Sequence, residues 1–210
     1  MIEVVRVVES QATLSSYRAT KNLVRARELE LLIESTKPGH IDFRWHSLIA
    51  TPFRYSPPLR QARFRPPYGK NVFYGSMLEE TALYEHAFHF MKQRQHLEIK
   101  SDTGCRTIFS VKADDTDAIK IKHHPHRKKI MDKNDYSESH QFVQSHPNVT
   151  FIIYSSCRDP KQRDNAAILD IKHLDESPAW ESSINFFYDN QQKKISWLDY
   201  NLDIQWSQVS

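Results

Sequence analysis

The chain has 210 residues, of which 29 are basic and 26 acidic, and its net charge of +3 does not by itself indicate a polyanionic partner. This length suffices for one domain that buries about 70% of its unfolded surface, and two cysteines, Cys105 and Cys157, are too few for a disulfide framework and lack metal-ligand spacing. Because no apolar run reaches the about 20 residues of a membrane-spanning helix and no signal-peptide core is present, we expect a cytoplasmic protein with no membrane contact.

The first part of the chain is predicted to be mostly helical. Residues 2–8 alternate weakly, which is typical of a strand or an extended arm. Helical spacing of apolar residues predicts a helix over 15–35, which Lys37, Pro38 and Gly39 end. The apolar run 47–53 predicts a strand.

A basic, proline-rich segment follows that strand. Four prolines in residues 54–67 prevent a regular helix, so a stiff loop is predicted that carries Arg54, Arg60, Arg63 and Arg65. After the loop, a short strand over 71–75 has Tyr74 near its end. A helix over 77–93 follows, with Glu85 beside its apolar stripe.

The rest of the chain mixes strands and helices. Strands are predicted over 105–112, 149–155 and 165–171, a helix over 135–146, and a hairpin from 184–188 and 194–198. Six or seven strands with three or four irregularly placed helices favour an α+β fold over a doubly wound parallel sheet. We expect one folding unit in which a helical extension, residues 1–46, packs on a core domain, residues 47–210.

Residues 54–85 combine groups that suit a phosphate-bearing ligand. A guanidinium forms charge-assisted hydrogen bonds to phosphate oxygens, worth about 1.5–3 kcal/mol each. Tyr74 could stack on a planar ring, Glu85 could hold a sugar hydroxyl or a developing positive charge, and Ser156, after the predicted strand, could orient an amide or a phosphate. The same residues also fit a protein without a ligand site, in which the arginines, the glutamate and the serine are solvated and the tyrosine lies in the core. Residue types alone therefore leave both interpretations open.

Two further patterns are ambiguous. Residues 120–133 have a local net charge of +5, which leaves −2 for the rest of the chain. Such a segment could bind nucleic acid through counterion release, but it contains no aromatic residue, so a solvated loop is expected, with an acidic partner as the next alternative. The histidines match no zinc pattern, so no metal site is predicted; they are His86, His89, His123, His124 and His126.

The segment ATPFRYSPPLRQARFRPPYGKNVFYGSMLEETALYEHAF resembles the arginine, tyrosine and glutamate segments of the RES domain family, the toxins of bacterial toxin–antitoxin systems. Arg63 precedes Tyr74 by 11 residues, and Tyr74 precedes Glu85 by 11, close to the family's pattern. DYSESHQFV and FIIYSSCRDPKQRDNAAIL resemble the family's helix and its strand ending in Tyr-Pro-Ser-x-Arg, followed by an Asn-x-Ala stretch. The resemblance covers most of residues 4–172.

The resemblance implies an ADP-ribosyltransferase-like mixed sheet flanked by helices and an enzyme that consumes NAD as a substrate. Several members cleave the nicotinamide–ribose bond by phosphorolysis, so inorganic phosphate is the expected co-substrate, and no cofactor is implied. Carried onto this sequence, the catalytic roles fall on Arg63, Tyr74, Glu85 and Ser156. Contacts to NAD fall on Arg54, Arg63, Tyr74, Ser156 and Arg158.

The resemblance also implies a partner, a cognate Xre-type helix-turn-helix antitoxin, with a homodimer inside the complex as an open alternative. Two other functions stay open: a mono-ADP-ribosyltransferase that modifies a protein, and a non-catalytic nucleic-acid-binding protein that uses residues 120–133. The sequence departs from the family pattern in two places. Glycines that often surround the second arginine are absent, so Arg65 rivals Arg63, and Ser155 replaces the proline, so Ser155 rivals Ser156.

Overall fold

The computed structural model describes residues 1–10, 20–36, 44–54 and 61–210. Within these ranges nine strands form one mixed sheet: β1 (Ile2–Glu9), β2 (Phe73–Ser76), β3 (Ser101–Ala113), β4 (Ile119–Lys120), β5 (Phe151–Ser155), β6 (Asp164–Ile168), β7 (Trp180–Asp189), β8 (Lys194–Trp197) and β9 (Leu202–Gln205). Their order is β4-β5-β6-β2-β1-β3-β7-β8-β9. The pair β4–β5 is parallel, and the other neighbouring pairs are antiparallel.

Helices flank both faces of this sheet. The same ranges contain α1 (Leu23–Ser35), α2 (Ser47–Arg54), α3 (Glu79–Arg94), α4 (Arg127–Ile130), α5 (Ser137–Ser145) and α6 (Trp206–Val209). Three short 3-10 turns complete the described structure: Ile121–His123, Ile171–His173 and Leu198–Tyr200. The predicted single α+β domain with a mixed sheet is confirmed. None of the helices in the described ranges combines the length and apolar character needed to cross a membrane.

Strand register decides which side chains share a face. Val5 lies opposite Ser76, Ser76 opposite Asn165, and Asn165 opposite Tyr154, so these four side chains point to one side of the sheet. On that side α3 packs over β1, β3 and β7 through one hydrophobic cluster, and α4 and α5 pack over β5 and β6 through another. The strip between α3 and α5, above β2 and β6, is where the candidate site lies.

The opposite face is covered by α2, and here the predicted strand over 47–53 is wrong. The amides of Ile49 and Ala50 donate to the carbonyl of His46, which begins a helix. Ile49 and Phe53, four residues apart, share one helix face and join the cluster that contains Phe73. A short apolar run suits a buried helix as well as a buried strand, so its periodicity did not distinguish them. Arg54 is consequently the last residue of a helix, not a loop residue.

Of the two alternatives predicted for residues 2–8, a strand or an extended arm, the structure shows a strand, which lies at the centre of the sheet with β2 on one side and β3 on the other. Val4 and Val5 belong to hydrophobic clusters on opposite faces of the sheet. Their β-branched side chains favour the strand conformation. This part of the predicted extension is therefore strand rather than helix. The boundary between residues 46 and 47 stays a prediction.

Most of the other predicted elements are confirmed. The helix predicted over 15–35 is observed from Leu23 onward, after Asn22 Oδ1 accepts the amides of Val24 at 3.0 Å and Arg25 at 3.2 Å. Residues 11–19 lie outside the described part of the chain. The hairpin near the end is observed as β7 and β8, with β9 and α6 as additional elements. The basic segment 120–133 is not only a loop, because it contains α4 and a 3-10 turn.

Candidate active site

Glu85 lies in the middle of α3 and is held by two side chains from other elements. Its Oε1 accepts hydrogen bonds from Ser156 Oγ and from Asn165 Nδ2, each at 2.6 Å. In the described ranges no protein hydrogen bond reaches Oε2. A carboxylate that is fixed through one oxygen presents the other to a ligand.

Ser156 follows the last residue of β5 and is 2% exposed. Its backbone amide donates to the carbonyl of Arg163 at 2.8 Å, which extends the β5–β6 pairing by one residue. Its hydroxyl accepts the amides of Arg158 at 3.1 Å and Asp159 at 2.9 Å. Because a hydroxyl has two acceptor positions and one proton, these bonds leave the proton directed at Glu85.

Ser155, the rival of Ser156, points elsewhere. Its hydroxyl lies 3.4 Å from Asp164 Oδ1, and it has no hydrogen bond to Glu85. Successive strand residues point to opposite faces, so at the end of β5 only one of the two serines can face α3. The structure therefore brings Ser156 to Glu85.

Asn165 is a site residue that sequence reasoning missed. It lies in β6, is 1% exposed, and its Oδ1 accepts a hydrogen bond from Ser76 Oγ at 2.7 Å. That bond orients the side-chain amide so that its nitrogen faces Glu85. The only sequence signal was the Asn-x-Ala stretch, and nothing in it indicates a contact between positions 80 residues apart.

Arg63 lies in a tight turn, in which the amides of Ala62 and Arg65 donate to each other's carbonyls at 2.9 Å. The residue is 8% exposed. Its guanidinium donates to the carbonyl of Ile130 at 3.0 Å and to Cys157 Sγ at 3.3 Å. Since Cys157 follows Ser156 in the chain, these bonds place Arg63 beside the pair formed by Glu85 and Ser156.

Arg158 is a second buried guanidinium next to this pair. It is 5% exposed, donates to the carbonyls of Val209 and Lys133 at 3.0 Å each, and lies 3.5 Å above the Phe88 ring. In the part of the chain that the structure describes, neither Arg158 nor Arg63 has a carboxylate within ion-pair distance.

The absence of these counterions has an energetic consequence. Burying a charge without a partner of opposite sign is unfavourable by several kcal/mol, and carbonyl dipoles offset only part of this. An anionic ligand that approaches both guanidinium groups would offset the rest. The two arginines therefore make this strip of the surface favourable for a phosphate-bearing ligand.

Tyr74 connects β2 to the arginine turn. Its hydroxyl accepts the backbone amide of Phe64, the residue after Arg63, at 3.3 Å. Burial raises the pKa of the Tyr74 phenol well above its usual value, so the group keeps its proton near neutral pH. In the described ranges no hydrogen bond is donated by the Tyr74 hydroxyl.

The remaining predicted arginines have different positions. Arg54 is buried at the end of α2, the helix whose apolar residues pack on the face of the sheet opposite to Glu85. Arg65 is half-buried and pairs through its backbone with Ala62. Arg60 lies outside the described residues.

A second network, in which Asp159 and Thr81 are buried, fastens the Ser156 turn to the start of α3. Asp159 Oδ2 accepts from Thr81 Oγ1 at 2.7 Å and from Arg163 Nε at 2.5 Å, and Arg163 also donates to Glu80 at 2.5 Å. Although burial opposes ionisation of Asp159, hydrogen bonds from Arg163 and Thr81 hold its pKa below the usual value. The sequence contained no signal for this network. Its effect is to fix the helix that carries Glu85 against the turn that carries Ser156.

Comparison with known proteins identifies the family. A family model described as the RES domain matches residues 40–189, which is more than two thirds of the chain. No curated protein matches the chain. The matched range contains all four predicted catalytic residues: Arg63, Tyr74, Glu85 and Ser156. On this match, which confirms the resemblance seen in the sequence, the chain belongs to the RES domain family.

Proposed function

We propose that this protein cleaves the nicotinamide–ribose bond of NAD, with inorganic phosphate as the acceptor, in the cytoplasm. One observation carries the proposal. Glu85 is held through one oxygen by Ser156 and Asn165, and beside it lie two buried arginines for which the described part of the chain supplies no carboxylate partner. This arrangement suits a substrate in which a ribose that develops positive charge is linked to a diphosphate. The carboxylate would lie beside the ribose, and the arginines beside the diphosphate.

In the proposed reaction, positive charge develops on the ribose, beside the carboxylate of Glu85. As the bond from ribose C1 to the nicotinamide nitrogen breaks, the electron pair goes to the nitrogen, and the ribose becomes oxocarbenium-like. The carboxylate of Glu85 stabilises that positive charge until a phosphate oxygen forms the new bond to C1, which yields nicotinamide and ADP-ribose phosphate. Because Ser156 and Asn165 already orient the carboxylate, little reorganisation is needed.

The other residues serve binding in this proposal. Arg63 and Arg158 supply positive charge for the diphosphate. The NAD contact that the resemblance implies for Arg54 stays a prediction. Tyr74, which keeps its proton, donates a hydrogen bond to the substrate from the β2 side. No step requires a covalent enzyme intermediate.

The test uses purified protein, NAD labelled in its adenosine half, and reactions with and without phosphate. ADP-ribose phosphate that forms only when phosphate is present supports phosphorolysis. Label that becomes attached to protein supports the alternative, a mono-ADP-ribosyltransferase. Intact NAD in the presence of a folded sample contradicts both. The Glu85→Gln protein is the control, and we expect it to leave NAD intact.

We also propose that the protein is the toxin of a toxin–antitoxin pair and that a helix-turn-helix protein restrains it. Membership of the RES domain family supports this, since such proteins are generally toxins paired with antitoxins. Co-expression with any small helix-turn-helix protein that is encoded beside this one, followed by purification, tests the pairing. A stable complex that no longer cleaves NAD is the expected result, and a partner that neither binds nor inhibits contradicts it.

A further inference from the structure

A cavity of about 430 Å³ opens between α3, α5 and the turn after β5. Nine residues line it, and most of them carry polar or charged side chains: Gln61, Lys92, Lys133, Asn134, Asp135, Tyr136, Ser137, His140 and Arg158. Its volume exceeds that of a phosphate ion and is of the size that a nucleotide needs. None of the roles assigned so far uses the cavity as a whole.

Positive charge converges on this cavity from three separate elements. Lys92 comes from α3, Lys133 from the segment after α4, and Arg158 from the turn after β5. Asp135 is the one carboxylate among the lining residues, and its Oδ1 accepts the amide of Ser137 at the start of α5, at 2.8 Å. The cavity is therefore cationic overall, and its single acid already has a structural hydrogen bond.

Two contacts connect the cavity with the candidate active site. The amide of Arg158 donates to Ser156 Oγ at 3.1 Å, and Ser156 in turn donates to Glu85. The guanidinium of Arg63 lies 4.9 Å from the centre of the Tyr136 ring, and that ring lines the cavity. The cavity therefore adjoins the candidate active site.

We propose that this cavity binds a phosphate group. Lys92 lies on the exposed side of α3 with its ammonium 5.5 Å from the Phe88 ring centre, and Lys133 donates to the carbonyl of Ser210 at 2.9 Å, which uses one of its three protons. The two ammonium groups supply charge, while amide and hydroxyl side chains supply further donors for phosphate oxygens. The phosphate belongs either to the diphosphate of NAD or to the free inorganic phosphate that attacks ribose. That choice of ligands rests on the proposed function, whereas anion binding by the cavity does not.

The experiment measures binding rather than turnover. ADP and inorganic phosphate are titrated separately into the Glu85→Gln protein by calorimetry at constant ionic strength. The same titrations are repeated after adding Lys92→Gln and Lys133→Gln. The matched control carries Lys128→Gln and Lys129→Gln instead, which removes the same charge from exposed positions in α4.

We expect the cavity pair to weaken binding about tenfold or more, because each lysine removed takes a charge-assisted contact with it. The control pair should change binding by less than about twofold, because exposed charges at a distance are screened by salt. Weaker binding of ADP alone identifies the diphosphate, weaker binding of phosphate alone identifies the co-substrate, and weakening of both identifies a shared site. Equal effects in the two pairs, or unchanged binding, overturn the proposal.

Two further measurements keep the result interpretable. Thermal unfolding of each variant shows whether it is folded, and Lys92→Gln alone serves as a second test, because this exposed side chain can be replaced without disturbing the core. A parent protein that binds ADP through the lysines but leaves NAD intact would retain this proposal and contradict the proposed function. A parent with Glu85 in place that cleaves NAD, and whose KM values for NAD and for phosphate stay the same after Lys92→Gln and Lys133→Gln, would do the reverse.

Discussion

Ser156 donates its hydroxyl proton to Glu85 across 2.6 Å, although 71 residues separate them in the chain. The serine comes from the turn after β5 and the glutamate from α3, so this hydrogen bond joins the two halves of the candidate site. The amides of Arg158 and Asp159 occupy the acceptor positions of the hydroxyl, which leaves it one orientation. The function of Ser156 in our proposal is therefore to fix the carboxylate rather than to attack the substrate.

Replacement of Ser156 should consequently lower kcat more than it raises KM. We expect Ser156→Ala to reduce kcat for NAD cleavage about 10- to 100-fold, the range for loss of a hydrogen bond to a charged group. Steady-state assays at several NAD concentrations separate the two constants. Ser155→Ala is the matched control and should change kcat by about twofold at most, since Ser155 faces Asp164 instead. Equal losses in the two variants would contradict the assignment.

Asp159 should act as a positioning residue. The Asp159→Asn substitution removes the negative charge that accepts hydrogen bonds from Thr81 and Arg163. Arg163 therefore loses a buried ion-pair partner. We expect the free energy of unfolding in urea to fall by about 2–4 kcal/mol, and kcat to fall while the KM for NAD changes little.

The control for this variant is Asp203→Asn. Asp203 pairs with Lys194 at 3.2 Å on the exposed surface, so its loss should change stability by less than about 1 kcal/mol. Asp159→Glu, which restores the charge, should recover part of the activity. A variant Asp159→Asn with normal stability and normal kcat would show that the network has no positioning role.

His86 should make the protein less stable in mild acid. The pKa of His86 is lowered from 6.5 to about 3. The main cause is burial between Phe90 and Trp197, and the second is the nearby positive charge of Arg106. The unfolded chain therefore binds a proton that the folded chain does not bind, and the stability from this group is complete above pH 6.5 and is lost as the pH falls toward 3.

Urea unfolding at several pH values between neutral and mildly acidic tests this. The parent protein should lose stability more steeply below pH 6.5 than His86→Leu does, because the variant lacks the titrating group. His96→Leu replaces an exposed histidine and should keep the slope of the parent. Identical slopes in the parent and in His86→Leu would contradict the assignment.

Gly75 should not tolerate a side chain. A Cβ at this position would lie 2.4 Å from Val4 Cγ1 and 3.0 Å from the carbonyl oxygen of Val5, because β1 and β2 approach closely here. We expect Gly75→Ala to destabilise the protein by about 1–3 kcal/mol through overpacking. Since Tyr74 is its neighbour, NAD cleavage should fall as well.

Gly104→Ala is the comparison for this prediction. Its Cβ would meet the edge of the Phe186 ring at 3.1 Å, a side chain that can shift, so the loss of stability should be smaller. Thermal unfolding of the two variants under the same conditions measures the difference. A greater loss for Gly104→Ala than for Gly75→Ala would contradict the packing argument.

Local patterns predicted much of the fold. Helical spacing located α3 and α5, and β-branched or alternating residues located β3, β5 and the β7–β8 hairpin, because these signals depend on neighbours in the chain. The prediction over 47–53 was wrong because a short apolar run is compatible with a buried helix and with a buried strand. The helix is the form in which these residues pack against Phe73 and Phe109.

The sequence by itself indicated the family, which the family model confirms, and it predicted four residues for the catalytic roles, since residue types and spacing are local properties of the chain. Only the tertiary structure decided that Ser156 rather than Ser155 contacts Glu85, that Asn165 also donates to the same carboxylate oxygen, and that Arg63 and Arg158 are buried with no carboxylate of the described residues as a partner. The physical reason is strand register. One-residue shifts in the pairing of β5, β6 and β2 would turn Ser156 and Asn165 to the other face, and no local pattern records which register the sheet adopts. Arg63 and Arg158 lie in turns, and contacts with distant carbonyl groups position them.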